Sequence, residues 1–241
     1  MRSEFFGRLL VFACLMVTIT EYATAQAPKP PATRSPVEKL GANTYRVGTI
    51  AVDTARREVS VPGTLNEVAT VEFVANARDG IKAYESAVTL DTDAITFNAA
   101  LLLIGLDPAR GKPSTMQFDS VAPQGDRVEL FAELPSGSKV RRVRFEEILF
   151  DQGTKKALAA GPWVYTGSTL VNTENGPRYM AEVDGVLIGL MRGPSAIIDN
   201  PSNNLVGRFG NINLNPAIAK AGMTVSLIVR ALPLTSPNKK H

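Results

Sequence analysis

Residues 81–108, IKAYESAVTLDTDAITFNAALLLIGLDP, hold the densest apolar run outside the N-terminus, and their reading decides the fold. The second half reads as a helix. Asp91, Thr92 or Asp93 can cap it, because a short oxygen-bearing side chain accepts an orphan N–H of the first turn. Ile95, Ala99, Leu102 and Leu106 recur along one face, and Phe97, Leu101 and Ile104 make a second. Gly105 and then Pro108 supply the stop signals. A helix apolar on two sides is expected to be buried on two sides. The expectation is therefore a central packing helix over about 92–106, preceded by a strand that carries Tyr84, Glu85 and Ser86.

Around this helix the chain reads as short strands. Val68–Ala77 and Ile81–Leu90 flank Arg78-Asp79-Gly80, and Asp-Gly between alternating runs predicts a hairpin. Val128, Leu130, Ala132 and Leu134 alternate with Glu129, Phe131 and Glu133, as do Val225, Leu227 and Val229 with their neighbours. Tyr45–Asp53, Glu58–Val61, Met116–Ser120, Lys139–Phe145 and Val186–Met191 read as further strands. A second hairpin is predicted from Thr169–Asn172 to Arg178–Val183, turning at Asn175-Gly176. Residues 193–215, rich in Asn, Gly and Pro, predict a long loop. The fold class expected is α+β and mostly antiparallel, a sheet or sandwich packed on the one buried helix.

The N-terminus reads as a secretory leader. Arg2 and Arg8 precede an apolar run of twelve from Leu9 to Thr20, and Ala23-Thr24-Ala25 offers a small-x-small cleavage site. Residues 1–25 are thus expected to be removed, with cleavage near Ala25, and the mature chain to be extracytoplasmic, periplasmic or secreted. Residues 26–37 form a Pro-rich linker, 38–234 a single β-rich domain and 235–241 a polar tail. No mature segment is long and apolar enough to predict a membrane span.

Composition narrows the chemistry. The one cysteine, Cys14, falls in the leader, so the mature chain has no disulfide, thiolate metal site or cysteine nucleophile. The one histidine is His241, the last residue, which removes Ser-His-Asp catalysis and histidine-held metals from the body. The net charge of +3 resides in the flanks, at Lys29, Arg34, Lys239 and Lys240. Nucleic acid is accordingly not an expected partner. Lys139, Arg141, Arg142 and Arg144, followed by Glu146 and Glu147, predict a solvated face with local ion pairs. Ser136-Gly137-Ser138-Lys139 has Ser–Lys spacing but sits between strands, where a turn is the simpler reading. Asp91-x-Asp93 lacks the remainder of a calcium loop. No metal and no cofactor is expected.

The candidate site residues are few. Glu85 is the one weak catalytic candidate, since a carboxylate on an apolar strand must be paired, exposed or shifted in pKa. It would need a second carboxylate, which the sequence does not place, and the plainer reading puts Glu85 on the wet face opposite Lys82. Trp163, Tyr165 and Ser168 put aromatic beside hydroxyl groups and can line a pocket, with Asp199 and Asn200, and further on Asn203 and Asn204, as its rim. A core-anchoring Trp and a cluster of turns are the plainer readings.

Tyr84-Glu85-Ser86, Asn98-Ala99-Ala100-Leu101-Leu102-Leu103-Ile104-Gly105-Leu106 and Trp163-Val164-Tyr165-Thr166-Gly167-Ser168, in that order and spacing, resemble the YdjY-like family of secreted bacterial proteins over roughly residues 45–232. The resemblance implies an extracytoplasmic domain of uncharacterised function. It also implies that members place histidine where this chain has Tyr84 and Asn98, so a family site built on those histidines is not available here. A ferredoxin-like role gains no support from a thiol-free mature chain. Two functions are expected: a cofactor-free binding or structural module of the cell envelope, meeting an envelope protein, peptide or glycan, or a hydrolase that uses carboxylates such as Glu85 on polysaccharide or peptidoglycan.

Overall fold

The computed structural model describes residues 35–174, 176–202 and 210–234. The leader, most of the linker, the polar tail, Asn175, Asn203 and Asn204 lie outside the described residues.

The chain opens with β1 (Val37–Lys39), β2 (Thr44–Val47), β3 (Ile50–Asp53) and β4 (Glu58–Leu65). Next come β5 (Phe73–Ala77), β6 (Ser86–Leu90), α1 (Ala94–Leu103), β7 (Asp126–Ser136) and β8 (Lys139–Arg144). They are followed by α2 (Phe145–Ile148), β9 (Leu149–Asp151), β10 (Lys156–Ala157) and β11 (Trp163–Tyr165). The last are β12 (Leu170–Thr173), β13 (Gly176–Tyr179), α3 (Met180–Asp184), β14 (Val186–Gly189), β15 (Ile198–Asp199), β16 (Ile212–Leu214) and β17 (Thr224–Ala231).

The architecture differs from the expected sheet or sandwich on a buried helix. Strand accounts for 42% of the structure against 13% helix, and the main sheet closes on itself as a barrel of eight strands. Its wall runs β4-β17-β7-β11-β15-β14-β5-β6, and β6 pairs back to β4. All wall pairings are antiparallel except β14 with β15 and β5 with β6. The apolar residues of the wall face one interior, as the period-two pattern of β7 and β17 predicts: Val128, Leu130, Ala132 and Leu134, and Val225, Leu227 and Val229, are all buried.

Helix α1 lies across one mouth of this barrel. Asp93 caps it by accepting from the Thr96 N–H at 2.7 Å. Arg57, just before β4, donates to the Ile104 carbonyl at 3.1 Å, and Tyr165 at the end of β11 donates to Asn98 Oδ1 at 2.7 Å. Asp126 at the start of β7 accepts from the Asp107 N–H at 2.9 Å. Phe97, Leu101 and Ile104 are buried into the core, whereas Leu102 on the other face is 44% exposed. The helix is thus a plug: the Phe97–Leu101–Ile104 face is buried, whereas on the face of Ile95, Ala99, Leu102 and Leu106 only Leu106 is buried and Leu102 is exposed. The opposite mouth is covered by the small sheet β10-β9-β16, docked through the Val71 N–H on the Ile212 carbonyl at 2.8 Å.

The hairpin expected around Arg78-Asp79-Gly80 does not form: β5 and β6 run parallel. Asn76 Nδ2 donates to the Ala77 and Gly80 carbonyls and turns the chain off the wall. Residues 83–85 then make a single 3₁₀ turn where a strand was expected, and Ile81 is exposed. The predicted hairpin forms as β12 and β13, but its second strand ends at Tyr179, and Met180–Asp184, expected to be mostly strand, is α3. Within the expected long loop, β15 and β16 form strands too short to carry a period.

Closure occurs where β4 changes partner. Its first half pairs with β3 and its second with β6, at Gly63–Leu90, Thr64–Thr89 and Leu65–Val88. Pro62 stands at the fork, where its missing N–H leaves no donor unpaired, and its carbonyl accepts from the Asp91 N–H at 2.8 Å. A Cβ on Gly63 would sit 2.6 Å from the Thr89 carbonyl oxygen, so the seam closes only around glycine. We expect Gly63→Ala to lower the unfolding free energy by about 2–4 kcal/mol in urea titrations, against under about 1 kcal/mol for Thr64→Ala, its exposed neighbour.

Candidate functional site

The residues singled out in the sequence do not converge on one cavity. They fall into three groups, one at the α1 mouth and two at the opposite mouth.

At the α1 mouth Tyr165 and Asn98 meet through their hydrogen bond. Burial pushes the Tyr165 hydroxyl up to about 12, with Asp107 and Asp126 adding to it, so this phenol is a hydrogen-bond donor. Ser168, just beyond β11, has φ of 60° and donates to the Ser195 carbonyl at 2.7 Å. Ser195 in turn donates to Asp184. These hydroxyls hold loops together. Tyr179 closes the set by donating to the Gly167 carbonyl at 3.0 Å.

At the opposite mouth lies a carboxyl pair. Glu85 and Ser86 are buried there, and Tyr84 beside them is exposed. The second carboxylate that Glu85 requires is Glu72, just before β5, whose N–H donates to the Glu85 carbonyl at 2.8 Å. Both acids are buried and their carboxyl groups share a hydrogen bond. Burial, then the charge of Glu85, pushes Glu72 up to about 7. Lys82 Nζ lies 2.7 Å from Glu85 Oε1, and this bond raises the lysine pKa in turn. Lys82 is thus paired with Glu85, and Glu72 is the acid whose ionisation its burial opposes. Nothing in the apolar context of Val71 and Phe73 announced Glu72, because the pairing is set by the parallel register of β5 and β6.

The third group forms a cleft. Trp163 opens β11 and is buried, with its indole N–H 2.9 Å from Glu146 Oε1. Arg144 grips the same carboxylate with two nitrogens, at 2.8 and 3.2 Å, and the Gly161 N–H adds a contact at 3.3 Å. Glu146 is thus fully engaged and stands as the floor of a cavity of about 310 Å³, walled by residues 158–162 and by Asn200, Pro201 and Ser202. Trp163 and Asn200 are the two sequence candidates that meet here. Glu146 was read only as part of a charge run, and no local signal marks it as a buried floor.

Asp199, expected on the rim, is instead fully buried in the wall. Its carboxyl accepts from the Asn200 N–H at 2.8 Å and from Ser114 Oγ at 3.3 Å. Burial pushes it up to about 7. A Cβ on Gly189 would lie 2.7 Å from its Oδ1, so β14 makes room for it. Next to it Arg192, also buried, donates to the carbonyls of Asp119, Ser120 and Pro201 and ties the 111–125 loop to the cleft. Among the described residues no three His, Cys, Asp or Glu side chains gather as a metal site, and no helix is long and apolar enough to cross a membrane.

A family model, the YdjY domain, matches residues 50–230, three quarters of the chain and all of the barrel wall but its last residue. The chain belongs to the YdjY domain family. No curated protein and no solved structure matches it. In this YdjY domain the three sequence motifs are spread over both mouths: Asn98 and the end of the Trp163–Ser168 run lie at the α1 mouth, and Tyr84–Ser86 and Trp163 at the other.

The acids set a pH dependence. In the folded state Glu72 and Asp199 keep their protons to about pH 7, whereas in the unfolded chain they lose them near 4.5 and 3.8. Between these values the folded state binds more protons, so stability falls as pH rises from about 4 to 7. We expect Glu72→Gln, which mimics the protonated form, to unfold at higher urea than wild type at pH 8 and to match it at pH 4.5. A wild-type urea midpoint that rises between pH 5 and 7 would contradict the assignment.

Proposed function

We propose that this YdjY domain is an exported binding module of the cell envelope and that the Trp163 cleft holds its ligand. The cleft carries this reading: a concave site at the low end of ligand-cavity volumes, mostly apolar, with a few fixed polar groups. Because Glu146 is taken up by Arg144, Trp163 and Gly161, the floor offers no free charge, which suits a compact uncharged group. One sugar ring or one or two peptide residues match the volume. The leader and Pro-rich segment read from the sequence support export.

The hydrolase reading gains nothing from the geometry. Glycoside hydrolysis uses carboxyl groups separated by about 5–10 Å across a substrate. The partner of Glu85 is a directly hydrogen-bonded Glu72, with Lys82 on the other side.

Trp163 is the only tryptophan, so its emission reports the cleft alone. We expect saturable shifts in Trp163 emission with short uncharged peptides or neutral oligosaccharides, and their loss in Ala160→Arg, which fills the opening from an exposed position. Absence of any shift across both panels would refute the cleft as the ligand site. Cell fractionation tests export separately: the expected product is extracytoplasmic and lacks residues 1–25, and a full-length cytosolic product would contradict it.

A further inference from the structure

One strand of the main sheet keeps an open edge. β8 pairs with β7 alone, and among the described residues no strand lies on its other side. Register decides what that edge presents. Gly137-Ser138 is a two-residue turn, so the Ser136–Lys139 pair that closes it exchanges hydrogen bonds. By alternation the Pro135–Val140 and Glu133–Arg142 pairs do not. Pro135, with no N–H to give, fits such a position. The Arg144 N–H agrees, since it turns away from β7 to Glu147 Oε1 at 3.1 Å. The N–H and C=O groups of Val140 and Arg142 therefore face outward, and among the described residues none of them has a partner.

We propose that this edge takes up an extended acidic segment of a partner protein as an added strand. The open backbone groups supply the hydrogen bonds, and the side chains choose the sign. β8 carries Lys139, Arg141, Arg142 and Arg144 and no acid. Arg142 and Arg144 are taken up by Glu58, Glu129 and Glu146. Lys139 is exposed and, among the described residues, has no ion pair. Arg141 meets only Glu147, at 3.9 Å, in an exposed pair that contributes little. Lys139 and Arg141 stand two residues apart and so share a face of the strand. Val140 between them is 68% exposed on the other face, where Pro135 is its exposed cross-strand neighbour. An added strand with acids opposite Lys139 and Arg141 and an apolar residue opposite Val140 satisfies all three. β8 of a second copy would set base against base, so the charges that bar self-pairing select a partner of opposite sign. β1, at the end of the main sheet, carries Glu38 beside Lys39 and selects neither sign.

The test uses a fluorescently labelled nine-residue peptide that alternates glutamate and valine, and a second with lysine in place of each glutamate. Anisotropy is read with the full chain, together with hydrogen exchange at the Val140 and Arg142 amides. The glutamate peptide is expected to bind, to weaken with added salt and to slow exchange at those two amides at least tenfold, and the lysine peptide to do none of these. N-methylation of alternate peptide amides separates strand addition from plain charge attraction: methylating one alternate set should abolish binding and methylating the other should leave it. Lys139→Glu combined with Arg141→Glu, both at exposed positions, should weaken the glutamate peptide at least tenfold and admit the lysine peptide instead. Equal binding of both peptides, binding of neither, indifference to N-methylation of both sets, or unchanged exchange at Val140 and Arg142 would each overturn the proposal. None of these readouts involves Trp163, so failure here is distinguishable from failure of the cleft.

Discussion

The structure depends on one seam. Seven of the eight wall pairings would leave a curled sheet with two open edges, and the pairing of β4 with β6 removes both. That pairing is possible because glycine stands at position 63 and proline at 62. Gly63 lets the two backbones approach, and Pro62 has no N–H to satisfy where neither β3 nor β6 reaches it. Once the seam is closed, the interior is a single core, and α1 and the β9 sheet serve as lids on its two ends. The outer face of the wall is held differently. There Phe131 lies beneath the guanidinium groups of Arg142, Arg144 and Arg230, at 4.8–5.1 Å, and Glu58 and Glu129 neutralise them. For Glu58, burial opposes ionisation, but its bonds to Arg230 and Arg142 outweigh it and hold the pKa low.

What the sequence disclosed was local. The alternation of Val128 to Leu134 and of Val225 to Val229 identified two wall strands and their inner faces, and Lys139, Arg141 and Arg142 lie on the solvated face read from the charge run, with ion pairs from Arg141 and Arg142, whereas Glu146 of the same run is buried. Asp93 was among the predicted caps of α1. What it concealed was non-local. Asp79-Gly80 has hairpin chemistry, yet Asn76 and the close approach of Gly185 to Gly80 divert the chain into a parallel return. β15 has two residues and β11 three, so neither shows a period, although both are wall strands. The helix was the most apolar segment and was therefore placed at the centre, but it caps a mouth of the barrel and Leu102 faces outward.

The candidate site was legible in pieces. Glu85 was read as lying on a wet face opposite Lys82; it is buried and does meet Lys82, and only the parallel register of β5 and β6 reveals Glu72 beside it. Trp163 was recognised as either anchor or pocket wall and is both, since burial of its ring and the bond to Glu146 make the floor of the cleft. The acid pair and the cleft share a rim: Leu190 donates to the Glu72 carbonyl and accepts from Asn200 Nδ2, at 3.1 and 3.2 Å. The mouth opposite α1 thus carries the buried acids and the concave surface together, and the α1 mouth carries hydroxyls that brace loops.

The central claim, a closed wall, is tested most directly by native-state hydrogen exchange at the seam. The Asp91 N–H on the Pro62 carbonyl and the Asn66 N–H on the Ala87 carbonyl, at 2.8 and 3.0 Å, bracket it. In a closed barrel these amides open only with the wall and are protected to the same degree as the amides of Leu227 and Val229 in β17. Exchange of Asp91 and Asn66 at the rate of an exposed loop, while β17 remains protected, would show an open sheet and contradict the account.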